Sequence, residues 1–209
     1  MTKTKLLKLA QHIGGLSSPS KMPCHSFSIP ATECKVGGRL NKVPGSVCFK
    51  CYARKGRYVF PNVRAALQRR FERLGLPDWV ETMSTVIGGL KEGFFRWHDA
   101  GDIQDRAHLE RIVDVARRTP ETRHWLPTKE YGLVHGAIRD GLELPPNLVV
   151  RVSSAIVGGA PPTVAGLPTS TVTTDPAAAT CRAFERKGKC GPCRACWDPS
   201  VRNVAYLAH

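Results

Sequence analysis

The chain has 209 residues, 42% hydrophobic and 23% charged, the balance of a folded domain with its own core rather than a disordered segment. Lysine and arginine number 31 against 17 aspartate and glutamate, a formal charge of +14 that attracts polyanions at low salt. Eight cysteines would suit a small secreted disulfide scaffold, but the length does not.

Taken in chain order, the basic start (1–15) is broken by Lys8, and no small-residue cleavage site follows, so no secretory leader is read. A short strand is expected over 26–30, inside an N-terminal cysteine loop (20–60) that carries Cys24, Cys34, Cys48 and Cys51. Helical periodicity then predicts a helix over 62–74 with a basic outer face, and a second over Trp79–Leu90 with Asp78 at its N-cap. Central β/α units fill 92–175. An aromatic strand (94–98) ends at Asp99-Ala-Gly-Asp102, and an amphipathic helix spans 105–118. A strand over 122–126 ends at Thr128-Lys129-Glu130, and a short helix covers 131–140. The apolar strand 148–152 ends at Ser153-Ser154, and a further strand lies within 166–174.

The longest uncharged run, 152–174, could span a bilayer by length, but Pro161, Pro162, Pro168 and several glycines make it strand and loop. The expectation is a soluble cytoplasmic protein with no membrane partner, where cysteines serve as metal ligands rather than disulfides. Strand–helix alternation predicts an α/β fold in one domain (1–209), a partial (β/α) barrel of about five to six mostly parallel strands.

The C-terminal segment (176–209) holds Cys181, Cys190, Cys193 and Cys196 in the pattern C-x8-C-x2-C-x2-C, with Gly191 and Pro192 suited to a tight loop. Four thiolates can hold an iron–sulfur cluster or a structural zinc. The dense C-x2-C-x2-C run favours iron–sulfur, with zinc as the alternative. In the N-terminal group, three thiolates on a four-iron cluster would leave one iron open for an outside ligand, whereas four would close the site. His25 is a further candidate ligand, though a packed histidine is the plainer reading.

Parallel α/β folds build their active sites at the carboxyl ends of the strands. Asp99, Asp102, Lys129, Glu130 and Ser153 all fall there, so the acids and the lysine are the candidate catalytic groups.

Five stretches carry a resemblance: Ser26-Phe-Ser-Ile-Pro-Ala31, Cys48-Phe-Lys-Cys51-Tyr-Ala-Arg-Lys-Gly56, Phe95-Arg-Trp-His-Asp-Ala-Gly-Asp102, Trp125-Leu-Pro-Thr-Lys-Glu-Tyr131 and Cys190-Gly-Pro-Cys-Arg-Ala-Cys-Trp197. Together they resemble the phage gene product 88 family. The Cys48-to-Arg54 run more distantly resembles the radical S-adenosylmethionine (SAM) motif of spore photoproduct lyase-like proteins. That likeness implies Cys34, Cys48 and Cys51 as cluster ligands. It further implies Asp99, Gly101 and Asp102 at the methionyl ammonium of SAM, Ser153 near its ribose, and an auxiliary cluster on the C-terminal cysteines. The motif's usual C-x3-C-x2-C spacing is opened here by the spacer 35–47, and Cys24, without a counterpart, is expected beside the first group.

Three functions follow as expectations. The first is an iron–sulfur enzyme of radical-SAM type, with an electron donor and an anionic substrate or nucleic acid as partners. The second is a zinc-stabilised nucleic-acid-binding protein using Arg54, Lys55, Arg57, Arg64, Arg69, Arg70 and Arg73 with Tyr52, Tyr58 and Phe60. The third is an iron–sulfur redox or sensor protein.

Overall fold

The structure, a computed structural model, describes residues 1–208. Six strands are β1 Ser26–Phe27, β2 Phe94–Trp97, β3 Arg123–Thr128, β4 Leu148–Ser153, β5 Thr169–Thr173 and β6 Asn203–Leu207. Six α-helices are α1 Lys3–Ala10, α2 Lys35–Leu40, α3 Pro61–Glu72, α4 Trp79–Leu90, α5 Arg106–Arg118 and α6 Tyr131–Arg139. All neighbouring strands pair in parallel, in the spatial order β1-β2-β3-β4-β5-β6. A doubly wound sheet reverses strand order at a switch point, whereas a barrel runs sequentially. The sheet is therefore a (β/α) barrel left open between β1 and β6, as expected.

Each expected strand and helix is present within a few residues of its predicted ends. Asp105 caps α5 by accepting the His108 backbone N–H at 2.8 Å. Asp78 precedes α4 but makes no cap bond; its carboxylate pairs instead with His12 Nε2 at 2.8 Å. Arg70 corrects the reading of α3 as basic on its outer face. It is buried, and its Nε and Nη1 donate to Gly15 O at 2.9 Å and Ser17 Oγ at 2.8 Å. Helical spacing explains this, because residue 70 shares a face with Leu67 and Val63.

Strand alternation gives the sheet two unlike faces. Phe27, Ile29, Phe95, Trp97, Leu126 and Val150 pack outward against Trp79, Met83 and Ile87 of α4 and Leu109, Ile112 and Val113 of α5. The other face is polar and aromatic. Register pairs Ser26 with Arg96, Arg96 with Trp125, Pro127 with Arg151, Ser153 with Ser170, and Val172 with Tyr206. On this face Trp197 packs against Phe94 and Trp125. Arg182–Arg186 and Ala195–Trp197 of the cysteine segment form short 3-10 turns, and the Trp197 indole N–H donates to Phe95 O at 2.8 Å. Among the described residues, no helix is long and apolar enough to cross a membrane.

Candidate metal centres

The spacer 35–47 is what returns Cys48 to Cys34. It opens as α2, bends at 41–44, and then pairs with the exit of β4: Val47 N–H donates to Ala155 O at 2.8 Å and Val157 N–H to Gly45 O at 3.0 Å. Asn41 Nδ2 holds Cys48 O at 2.7 Å. Gly37 sits where the thiols meet: a methyl there would lie 3.6 Å from Cys48 Sγ and 3.7 Å from Cys34 Sγ. Cys51 follows Cys48 through a tight turn, with its N–H on Cys48 O at 3.1 Å. The spacer thus brings Cys48 back to Cys34 around Gly37, and Cys51 follows one turn later.

This group sits at the carboxyl ends of the strands, with the candidate residues around it. Burial, reinforced by Asp102, Cys51 and Cys48 and opposed by Arg54, pushes the Cys34 thiol up to about 12. Burial also raises Cys48, against the lowering pull of the Lys129 charge. Metal binding reverses this preference, because only thiolates ligate.

Asp102 is buried. Its Oδ1 accepts from Ile103 N–H at 2.8 Å and Thr128 Oγ1 at 2.6 Å, and its Oδ2 from Lys129 N–H at 2.9 Å. Burial wins over those donors and lifts its carboxyl to about 6. Oδ2 keeps unused acceptor capacity beside the thiols. Glu130 accepts the Val36 N–H at 2.8 Å, which fixes the start of α2 and hence Cys34. Lys129, half-buried, is in no ion pair among the described residues. Ser153 Oγ accepts from Ser170 Oγ at 3.0 Å, and the Tyr131 hydroxyl donates to Ser153 O. Tyr131, Ser154, Ile156 and Gly159 line an open hollow on this side of the sheet.

Asp99 is engaged inside the fold. Its carboxylate accepts from Ser26 Oγ at 2.7 Å, Tyr58 OH at 2.7 Å and Ser28 Oγ. Burial raises this carboxyl, but the Arg96 charge and the three hydroxyls outweigh it and hold the group below its ordinary value. Asp99 thereby ties β1 to the cysteine loop. Gly101 likewise has a backbone role, with φ +83° and a position where a Cβ would lie 2.3 Å from Ile29 Cγ1 and 2.7 Å from Ile29 O. Gly101→Ala is expected to cost at least about 2 kcal/mol. Gly136→Ala, in open space on α6, should be neutral or stabilising. Urea unfolding of the two variants checks the contrast.

The second group lies on the inner face. Cys181 N–H donates to Ala205 O at 2.9 Å and Cys190 N–H to Lys21 O at 3.0 Å, tying the segment to β6 and to the stretch before β1. Arg194 Nη1 holds Gly191 O at 2.7 Å and Cys193 O at 2.8 Å. Cys196 Sγ meets the Tyr206 hydroxyl at 3.1 Å, and burial raises its thiol to about 11.

Cys24 belongs here, not with the first group as expected. It packs with Trp125, Trp197 and Cys196, and after burial and Glu92 its thiol is affected by Arg96 and Cys190. Cys24 precedes β1 and Cys34 follows it, so the strand separates two cysteines that look adjacent in sequence. His25 Nδ1 pairs with Glu92 Oε1 at 2.7 Å, in keeping with the plainer reading of a packed histidine. All eight cysteines are free. Among the described residues, no three Cys, His, Asp or Glu side chains converge on a point that would hold a single ion.

The basic stretch divides. Arg54 Nη2 donates to Ala31 O at 3.0 Å, Arg73 Nη1 to Gln11 O at 2.9 Å, and Arg70 is buried as described. Lys55, Arg57, Arg64 and Arg69 remain exposed. Two arginines inside strands, Arg96 and Arg151, were given no role from the sequence. Arg151 is wholly buried, with Nη1 on Thr169 O and Val201 O at 2.9 Å and Nη2 on Ala195 O and Asp198 O at 3.1 Å. A charged residue within an apolar strand was the available signal.

No curated protein and no solved structure matches the chain at a significant level. The family described as gene product 88 matches residues 1–199, and that match carries no radical SAM family with it. The chain belongs to the gene product 88 family.

Proposed function

We propose that the protein is an iron–sulfur enzyme of radical-SAM-like type, with a three-cysteine site on Cys34, Cys48 and Cys51 and an auxiliary site on the C-terminal cysteines. The observation that carries this reading is the return of Cys48 to Cys34 around Gly37, at the open end of a sequentially ordered parallel half-barrel. The donor set fits the group: all-thiol ligation is what iron–sulfur clusters take. Each thiolate of such a cluster binds a different iron, so the sulfurs need not converge as they do around one zinc ion. When bound, a four-iron cluster on three cysteines supplies one iron free for an outside ligand and an electron to pass to it.

The chain's own residues then hold and shield that ligand. The free acceptor capacity of Asp102 Oδ2 suits an ammonium group. Lys129 offsets thiolate charge beside Cys48. Glu130 and Asn41 position the loop that carries Cys34 and Cys48. The hollow at Tyr131 and Ser154 provides room for the remainder of a nucleoside-bearing ligand such as SAM.

The test is electron paramagnetic resonance of the anaerobically purified, dithionite-reduced protein, with and without SAM. The expected result is a reduced-cluster signal that shifts on SAM addition and no longer shifts in Asp102→Asn. A signal indifferent to SAM would leave a redox or sensor protein. Absence of any cluster signal, with zinc bound, would favour a structural metal protein that contacts nucleic acid.

A further inference from the structure

Two arginines lie within strands on the inner face: four backbone carbonyls hold Arg151, whereas Arg96 has no such set of acceptors. Arg96, midway along β2, has its guanidinium carbon 4.4 Å from the centre of the Trp125 ring. Its Nη1 donates to Met22 Sδ at 3.1 Å, a weak thioether acceptor, and the Tyr52 side chain stands within hydrogen-bonding reach of the guanidinium. Its Nε is buried with no partner. No carboxylate lies within ion-pair distance: the nearby Asp99 accepts from Ser26, Ser28 and Tyr58 and acts on Arg96 only through its field. Buried charges are otherwise paired or bound to a ligand.

Its location links the two cysteine groups. Asp99 and Tyr52 stand toward the first group, and Cys196 and Tyr206 toward the second; all four act on its charge. Tyr52 directly follows Cys51, and its hydroxyl donates to Asp99 O. Ser26 lies beside Arg96 in register, and Trp125 lies on the other side. The planar fork of a guanidinium matches an oxyanion through two parallel N–H bonds, and the Trp125 face orients that fork.

We infer that Arg96 is the anchor for an oxyanion, carboxylate or phosphate, of the substrate bound between the two cysteine groups. The inference rests on the reading of the half-barrel interior as a reaction chamber, and it narrows the anionic substrate suggested by the overall charge to one contact. An exposed cation would attract polyanions without selecting a group, whereas Arg96 reads one oxyanion at a fixed depth.

The test is calorimetric titration of the anaerobically purified full chain with pyrophosphate and, separately, with malonate, alongside iron, sulfide and zinc analysis of the same sample. Saturable binding of one anion by the wild type is expected. Arg96→Gln should weaken it about 10- to 100-fold. Arg96→Lys, which keeps the charge and loses the fork, should fall between them. The anion that binds tells phosphate from carboxylate. Unchanged affinity in a folded Arg96→Gln overturns the inference, as does the absence of saturable binding of either anion by the wild type. Loss of iron in Arg96→Gln with anion binding intact also overturns it, because Arg96 would then be a counter-charge for the thiolates. If Arg96→Gln does not fold, Arg96→Lys with full wild-type affinity overturns it equally. A zinc-loaded protein whose anion binding depends on Arg96 sinks the iron–sulfur reading and leaves this contact standing.

Discussion

Arg151→Met should destabilise the protein by at least about 4 kcal/mol and release the C-terminal cysteine segment from the sheet. The Arg151 side chain is wholly buried and donates to four backbone carbonyls: Thr169 O in β5, Val201 O ahead of β6, and Ala195 O and Asp198 O around Cys196. Methionine fills much of the volume but returns none of those bonds, and each buried acceptor left unpaired costs about 1–3 kcal/mol. Arg151→Lys keeps a charge but cannot reach four carbonyls from one ammonium, so it should recover a fraction of the loss. The effect should be lopsided. Amides of β5 and β6 should lose protection from hydrogen exchange, while β2 and β3, packed on α4 and α5 across the outer face, keep theirs. A melting temperature within 2–3 °C of wild type, about 1 kcal/mol in a chain of this size, would show that the guanidinium is dispensable.

Acid should unfold the protein well above the usual carboxylate range. His98, His108 and His124 are all buried, and burial pushes each below its ordinary value, His108 to about 4 and His124 to about 3. For His98, the neighbouring His108 and Arg96 charges add to the effect. The unfolded chain takes up these protons near pH 6.5 and the folded chain does not, so stability is full above that value and is lost as pH falls toward 3–4. At pH 5 His108 and His124 each cost about 2 kcal/mol, and His98 acts in the same direction. Asp102 works in the opposite direction, since its raised carboxyl protonates more readily in the folded state and returns about 1 kcal/mol at the same pH. The net prediction is a fall in melting temperature of order 10 °C between pH 7.5 and pH 5. His124→Asn should reduce the fall, provided that its amide takes over the bonds to Thr119 Oγ1 and the Trp97 indole N–H.

The sheet was legible because parallel strands buried on both faces read as short apolar runs bounded by glycine, proline and polar residues. That description fits β3 and β4 well. β6 escaped notice because its five residues follow the cysteine segment with no helix between, so the β/α rhythm gave no cue. The helix α2 was hidden in a spacer read only as an insertion, because Gly37 and Gly38 in its middle argue locally against helix. The same Gly37 makes room for the two thiols, so a local propensity conflict marked a site. Among the candidate residues, position at a strand end was readable, but direction was not. Asp102 and Lys129 stand by the thiols, whereas Asp99 turns to Ser26, Ser28 and Tyr58. That difference depends on partners some 40 to 70 residues away in sequence. Cys24 was misplaced for a related reason: proximity in sequence to Cys34 hid the strand that carries the two apart.

What the two cysteine groups hold decides between an iron–sulfur enzyme and a zinc-stabilised protein. Iron, zinc and acid-labile sulfide should be determined on protein purified without oxygen, with its visible spectrum taken on the same sample. Two four-iron clusters predict about eight iron and about eight sulfide per chain, with broad absorbance near roughly 400 nm that bleaches on reduction. About two zinc per chain with no sulfide and no visible absorbance would contradict the account.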